Sequence, residues 1–193
     1  MAKKMEMPNV QLKQAQYQGA LLGLAVGDAL GAPLKFRARG SAPAVKDMIT
    51  GGPLDVELGE WTDDTSTALC LAASLIEKNG FDAFDQLTRY SRWRREGYLS
   101  SNGAAFDMSA TMKMALDKFQ QTKELECGGT SKEWADNDAI SRLAPIPMFY
   151  AQTPNQAIDY AIESSKTTHA AQASLDCCAY MSGIITGILR GHS

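Results

Sequence analysis

Apolar positions recur at helical spacing along most of this chain. Residues 14–30 form a small-residue segment with Ala15, Ala20, Leu21, Leu24, Ala25 and Leu30 among its apolar positions. Glycines 23, 27 and 31 recur every fourth residue there, which gives a smooth face for tight packing against another backbone. The spacing predicts a strong helix over 64–78, stopped near Gly80. Over 82–96, Phe84, Leu87, Tyr90 and Trp93 or Arg94 line one helical face. Further helices are predicted over 109–121, 138–150, about 155–165 and 170–190. Between the first two helices, residues 31–60 hold Pro33, Pro43 and Pro53 with a Gly-Gly pair, and read as a long loop with a short helix at 42–48. Loops of that length inside a domain are functional or mobile. A second loop, 97–109, is rich in Ser, Asn and Gly. No segment alternates with period two. The pattern predicts one all-α domain over 13–193, after a flexible 1–12.

Composition narrows the functional classes. The 193 residues are 45% hydrophobic and 21% charged, an ordinary globular profile. Net charge is −3, which leaves no electrostatic footprint for nucleic acid. The basic clusters at 35–39 and 89–96 read as solvated faces. The N-terminus has no apolar core of a signal peptide, and the smoothest apolar stretch, 19–34, contains Asp28 and four glycines, so no membrane span is expected. Cys70, Cys127, Cys177 and Cys178 form no C-x-x-C pair. That pattern predicts free thiols in a reducing, cytoplasmic setting, with Cys70 and one of the 177/178 pair in the core.

Chemistry concentrates in short strings. In "GEWTDDT" (59–65), Thr62 can cap a helix whose first turn holds Asp63 and Asp64, where the helix dipole favours negative charge. The same three residues offer oxygens to a hard cation such as Mg²⁺, Mn²⁺ or Ca²⁺. Three oxygens are too few for a closed cage, so further ligands must come from elsewhere. Asp28 stands among small apolar residues and needs a partner if buried; it is a candidate substrate contact. Asp107 precedes a helix beginning near Ser109 and also fits an N-cap region. "ADNDAISRLAPIP" (135–147) is a polar turn running into an apolar helix with Arg142 inside. His169 is one of two histidines and lies near a helix start, a position that suits a structural role.

Taken in order, "GLAVGDALGAPLKF", "GEWTDDTSTALCLAASL", "GYLSSNGAAFDMSATMKMAL", "NDAISRLAPIP" and "SSKTTHAAQASLDCCAYMSGII" resemble the ADP-ribosylglycohydrolase family, which includes the dinitrogenase reductase-activating glycohydrolases. The resemblance covers about residues 17–190. It implies an orthogonal multi-helix bundle and a binuclear Mg²⁺ or Mn²⁺ site. It also implies hydrolysis of the bond between ADP-ribose and a protein side chain, often arginine. By the same resemblance Thr62, Asp63 and Asp64 match the first metal motif and Asp107 an acidic active-site residue. Asn137 matches a loop that contacts ADP-ribose, and His169 a substrate contact.

Three departures shape the expectations. The family's second metal motif, of Asp-x-Asp-Thr type, lies beyond the last residue here, so the chain corresponds to the family's N-terminal part. Its C-terminal apolar helix is then expected either to dock back on this domain or to meet more polypeptide or a second subunit, which could be a second copy. Lys35 stands where the family has a glutamate suited to act as base, and an ammonium cannot take a proton. Asp136 and Asp138 replace glycines of a "GNGxxMR" string, where a carboxylate would repel a diphosphate unless a cation bridged them or they turned away. The expected partner is an ADP-ribosylated protein or ADP-ribose. The alternatives are a degenerate homologue that binds ADP-ribose or a nucleotide without cleavage, and a non-catalytic structural protein.

Overall fold

A computed structural model describes residues 14–42 and 44–192. The expected flexible segment 1–12 lies outside the described residues. The helices are α1 (Gln14–Gly31), α2 (Asp63–Lys78), α3 (Ala83–Glu96), α4 (Ala110–Thr122), α5 (Asp138–Ser141), α6 (Pro145–Phe149), α7 (Pro154–Lys166) and α8 (Gln172–Leu189). Short 3₁₀ turns follow α1 and precede α5, at Ala32–Leu34 and Lys132–Trp134. Among the described residues there is no β-strand, only the isolated bridges Gly51–Val56 and Gly129–His169. The fold is all-α, as the periodicity predicts.

Helix α2 organises the core, because its two faces bury into different clusters. Cys70 joins Leu87, Tyr90 and Trp93 of α3 and Met112, Leu116 and Phe119 of α4. Its neighbours Leu71 and Leu75 join Leu143, Ile146, Ala161 and Cys178 from α6, α7, α8 and the turn before α6. A helix buried on both sides holds its first turn rigidly, and that turn carries "TDDT". Capping supports the outer helices. The Asp82 carboxylate accepts from Asp85 N at the start of α3, and Ser109 Oγ accepts from Met112 N at the start of α4.

Two expected helices differ. The segment 138–150 is two short helices, because Pro145 has no N–H to continue the ladder and instead opens α6 as its first residue. Residues 44–48 form no helix, and Asp47 Oδ1 accepts the N–H of Met48 instead. The glycine face of α1 is also not packed. A side chain placed at Gly19, Gly23, Gly27 or Gly31 would meet nothing within 4 Å, and only Ala29 of α1 is buried. The cysteines follow expectation: all four are free, Cys70 and Cys178 are in the core, and Cys177 is exposed. Cys127 is buried as well.

Candidate active site and metal centre

The first turn of α2 is tied to α1 through one carboxylate. Asp28 accepts from Thr62 N at 3.0 Å, Thr62 Oγ1 at 2.8 Å, Thr65 N at 3.0 Å and Thr65 Oγ1 at 2.7 Å. Thr62 does occupy the N-cap position with extended backbone, but its side chain makes no cap hydrogen bond within its own helix. Asp28 satisfies those orphan N–H groups from a distance. This answers how a partly buried aspartate among small apolar residues finds partners.

With the turn fixed, Asp63 and Asp64 face inward. Asp63 is 4% exposed, and its Oδ1 has no hydrogen-bond donor. Lys35 Nζ stands 3.6 Å from that oxygen. Burial, then the neighbouring Asp64 and Asp138 charges, push the Asp63 carboxyl up to about 7, against the opposing pull of Lys35 and Thr62. Asp64 is also raised, chiefly by burial, although Ser141 Oγ donates to its Oδ1 at 2.6 Å.

Lys35 is not part of a solvated face. It follows the 3₁₀ turn Ala32–Leu34, and its ammonium donates to Asp107 Oδ2. Asp107 itself has a left-handed backbone, φ 64°. It sits in the loop after α3, which Gly97 turns sharply. A side chain at Gly97 would lie 2.0 Å from the Gly103 carbonyl oxygen. Ser101 Oγ donates to the Trp61 carbonyl at 2.7 Å and so ties this loop to the "TDDT" turn. The other basic cluster is spent on surface pairs: Arg89 with Asp85 and Glu77, Arg92 with Glu96, Arg94 with Asp117.

Asp136, Asn137 and Asp138 reach the same region from the other side. Asn137 is exposed and lines a shallow cavity with Asp136, Ile140 and Ser174. His169 is fully buried. Its Nε2 stands 2.6 Å from Asp136 Oδ1, in a contact too bent for a regular hydrogen bond. Arg142, buried over the Tyr90 ring, donates from Nη2 to Thr168 Oγ1 at 2.5 Å. Thr168 Oγ1 lies 2.8 Å from His169 Nδ1, where the hydroxyl can donate or accept, and the Asp136 carboxylate opposite favours a ring proton on Nε2. Burial raises the Asp136 carboxyl, but the close His169 ring and Thr111 outweigh it and hold it down at about 2. Gly128 admits this arrangement: a side chain there would stand 2.6 Å from His169 N.

The expected site residues therefore divide. Thr62, Asp63, Asp64, Lys35 and Asp107 come together at the start of α2, with Asp28 behind them. His169 lies under Asp136, and Asn137 stands at the rim. Sequence reasoning missed Ser141, the Lys35–Asp107 contact and the position of Asp138. Asp138 Oδ2 is buried without a donor, and Asp63, Asp64 and Asp138 place ligand oxygens within 4.8 Å of one another. Asp136, Asp138 and His169 form a second such group that shares Asp138. Two orphaned buried oxygens in the first group suit a hard divalent cation. In the second group, Asp136 and His169 already face each other.

Comparison with known proteins gives the family. The ADP-ribosylglycohydrolase family model matches residues 9–193. The ADP-ribosylarginine hydrolase Tri1 of Serratia proteamaculans is 39% identical over 91% of this chain and 48% of its own length. Tri1 of Pseudomonas putida is 36% identical over 90% of this chain and 47% of its own. A solved ADP-ribosylglycohydrolase-related protein complex superimposes with a TM-score of 0.78 at 35% identity, over 92% of this chain and 57% of that one. The chain thus spans about half the length of the relatives it matches. By the family model and by these identities, it belongs to the ADP-ribosylglycohydrolase family.

Proposed function

We propose that this chain carries part of a metal-dependent ADP-ribosylglycohydrolase that hydrolyses the bond between ADP-ribose and a protein side chain, arginine foremost. One observation carries the reading. Asp63, buried with one oxygen lacking a donor, and half-buried Asp64 stand beside Asp107, in a chain 39% identical to an ADP-ribosylarginine hydrolase. The donors are all oxygens, which favours Mg²⁺ or Mn²⁺ over softer metals. A bound divalent cation would supply charge stabilisation on oxygen and orientation of water. Four free thiols suit a reducing, cytoplasmic setting.

The chain's own residues have separable tasks. Asp28 fixes the turn that aims Asp63 and Asp64, and Ser141 orients Asp64. Asp107 is the carboxylate placed to orient or deprotonate water, with Lys35 holding one of its oxygens. Lys35 itself acts as a charge partner and not as a base. Asn137, exposed at the rim, is free to meet the nucleotide part of a substrate. His169 is buried and acts as a positioning residue through Asp136.

A second reading, binding of ADP-ribose without cleavage, is favoured by Lys35, whose ammonium engages both Asp107 and Asp63. One assay separates the two. Release of ADP-ribose from an arginine-modified protein should require Mg²⁺ or Mn²⁺ and fall by roughly 100-fold or more in Asp107→Asn. Binding of ADP-ribose without release, with release gained in Lys35→Glu, would establish the second reading instead.

A further inference from the structure

Asp138 opens α5 and stands across from the first turn of α2. Two contacts fix it there. Its N–H donates to Asp136 Oδ1 at 3.2 Å, and Ser141, one turn on, donates to Asp64 Oδ1 at 2.6 Å. The first contact keeps Asp136 on the His169 side. The second clamps α5 against α2, which leaves the Asp138 carboxylate facing Asp63 and Asp64.

That position is electrostatically costly as it stands. Asp63, Asp64, Asp138 and Asp107 share one nearby ammonium, Lys35, which already serves Asp107. Like charges this close repel strongly where water is scarce. Two independent signs point to a cation site. Asp63 Oδ1 has no hydrogen-bond donor on a side chain more than nine-tenths buried, and Asp138 Oδ2 is likewise buried without a donor. Asp136 lacks that sign, because His169 and Thr111 occupy it. The family string that residues 136–142 resemble has glycine at position 138, so the Asp138 carboxylate is a departure from that string.

We propose that Asp138 is a third carboxylate ligand, with Asp63 and Asp64, of one hard divalent cation held wholly by residues of this chain. Lys35 is the fixed positive charge next to that cation. The proposal rests on the metal-dependent reading above, but binding is measured here without substrate. Hydrolysis can therefore fail while the site stands, and the reverse.

The test titrates the metal-stripped chain with MnCl₂ by calorimetry and follows its melting in EDTA and in Mn²⁺. The unaltered chain should bind one Mn²⁺ and melt higher in its presence. Asp138→Asn should weaken binding by about 10-fold or more. It should also remove most of the Mn²⁺-induced rise in melting temperature while leaving melting in EDTA unchanged or higher, because it relieves repulsion. A merely structural role would lower melting in EDTA. Asp138→Ser guards against an effect peculiar to the amide. Asp117→Asn, in a surface pair, should bind Mn²⁺ as the unaltered chain does. Equal Mn²⁺ affinity in Asp138→Asn and the unaltered chain overturns the proposal, as does an unaltered chain that binds no Mn²⁺.

Discussion

At the scale of single residues, the decisive fact is the cost of ionising Asp63. Its carboxyl is held up at about 7 against an ordinary 3.8, first by burial and then by Asp64 and Asp138. A folded state that keeps its proton up to about pH 7 binds more protons than the unfolded chain between about pH 4 and 7. The stabilising contribution is thus complete below the ordinary carboxyl range and is lost as pH rises through 7. Asp64 shifts in the same direction. Asp136, held low, acts only in stronger acid. The metal-free chain should therefore melt higher at pH 5.5 than at pH 8, and Asp63→Asn should flatten that trend. Mg²⁺ or Mn²⁺ should shrink or reverse it, because a ligating carboxylate must be deprotonated. Melting curves in EDTA and in metal across this range check the sign, and a metal-free chain more stable at pH 8 would refute it.

At the scale of elements, Asp28 joins α1 to the first turn of α2. Its carboxylate takes four donors from Thr62 and Thr65. Asp28→Ala should leave those donors unsatisfied and cost about 2–4 kcal/mol in urea unfolding. Asp28→Asn, which keeps one acceptor oxygen, should cost less. A loss near zero for both would show that water replaces the carboxylate. The sequence makes "TDDT" and Asp28 separately visible, but their pairing is a contact between helices 34 residues apart, which no local pattern encodes. The helices themselves are legible because α3 and α4 each bury one periodic face, and α2 is an apolar run behind an acidic first turn. The break at Pro145 was legible in principle, since the proline was in view, but the apolar run around it masked the break. Lys35 is visible in the sequence as a departure from the family string, whereas its contact with Asp107 depends on the path of the 97–109 loop. In the sequence Asp138 is only a charge set against a diphosphate, because its neighbours Asp63 and Asp64 are distant along the chain.

At the scale of the whole molecule, two helices present apolar surface that nothing among the described residues covers. On α1, Leu22 is 64% and Val26 43% exposed, beside glycines with open space around them. On α8, Tyr180, Ile184 and Ile188 are 76%, 57% and 55% exposed. Gln16 Nε2 donates to the Ile188 carbonyl at 3.3 Å, so the two helices meet at one end. Continuous apolar exposure of this kind marks an interaction surface or an association hazard. The relatives it matches are about twice as long, so their folds contain polypeptide that has no counterpart in these helices. Exposed side chains that pack against nothing contribute little to the fold that presents them. Replacing Ile184 with Glu and Ile188 with Lys should therefore lower binding of an apolar dye and reduce concentration-dependent association. The melting temperature should shift by no more than about 2 °C. A large drop in melting temperature would mean that these side chains are covered in solution by the chain itself. Dye binding equal to that of the unaltered chain would place the sticky surface elsewhere, with the groove of Phe84 and Phe119 between α3 and α4 the next to substitute.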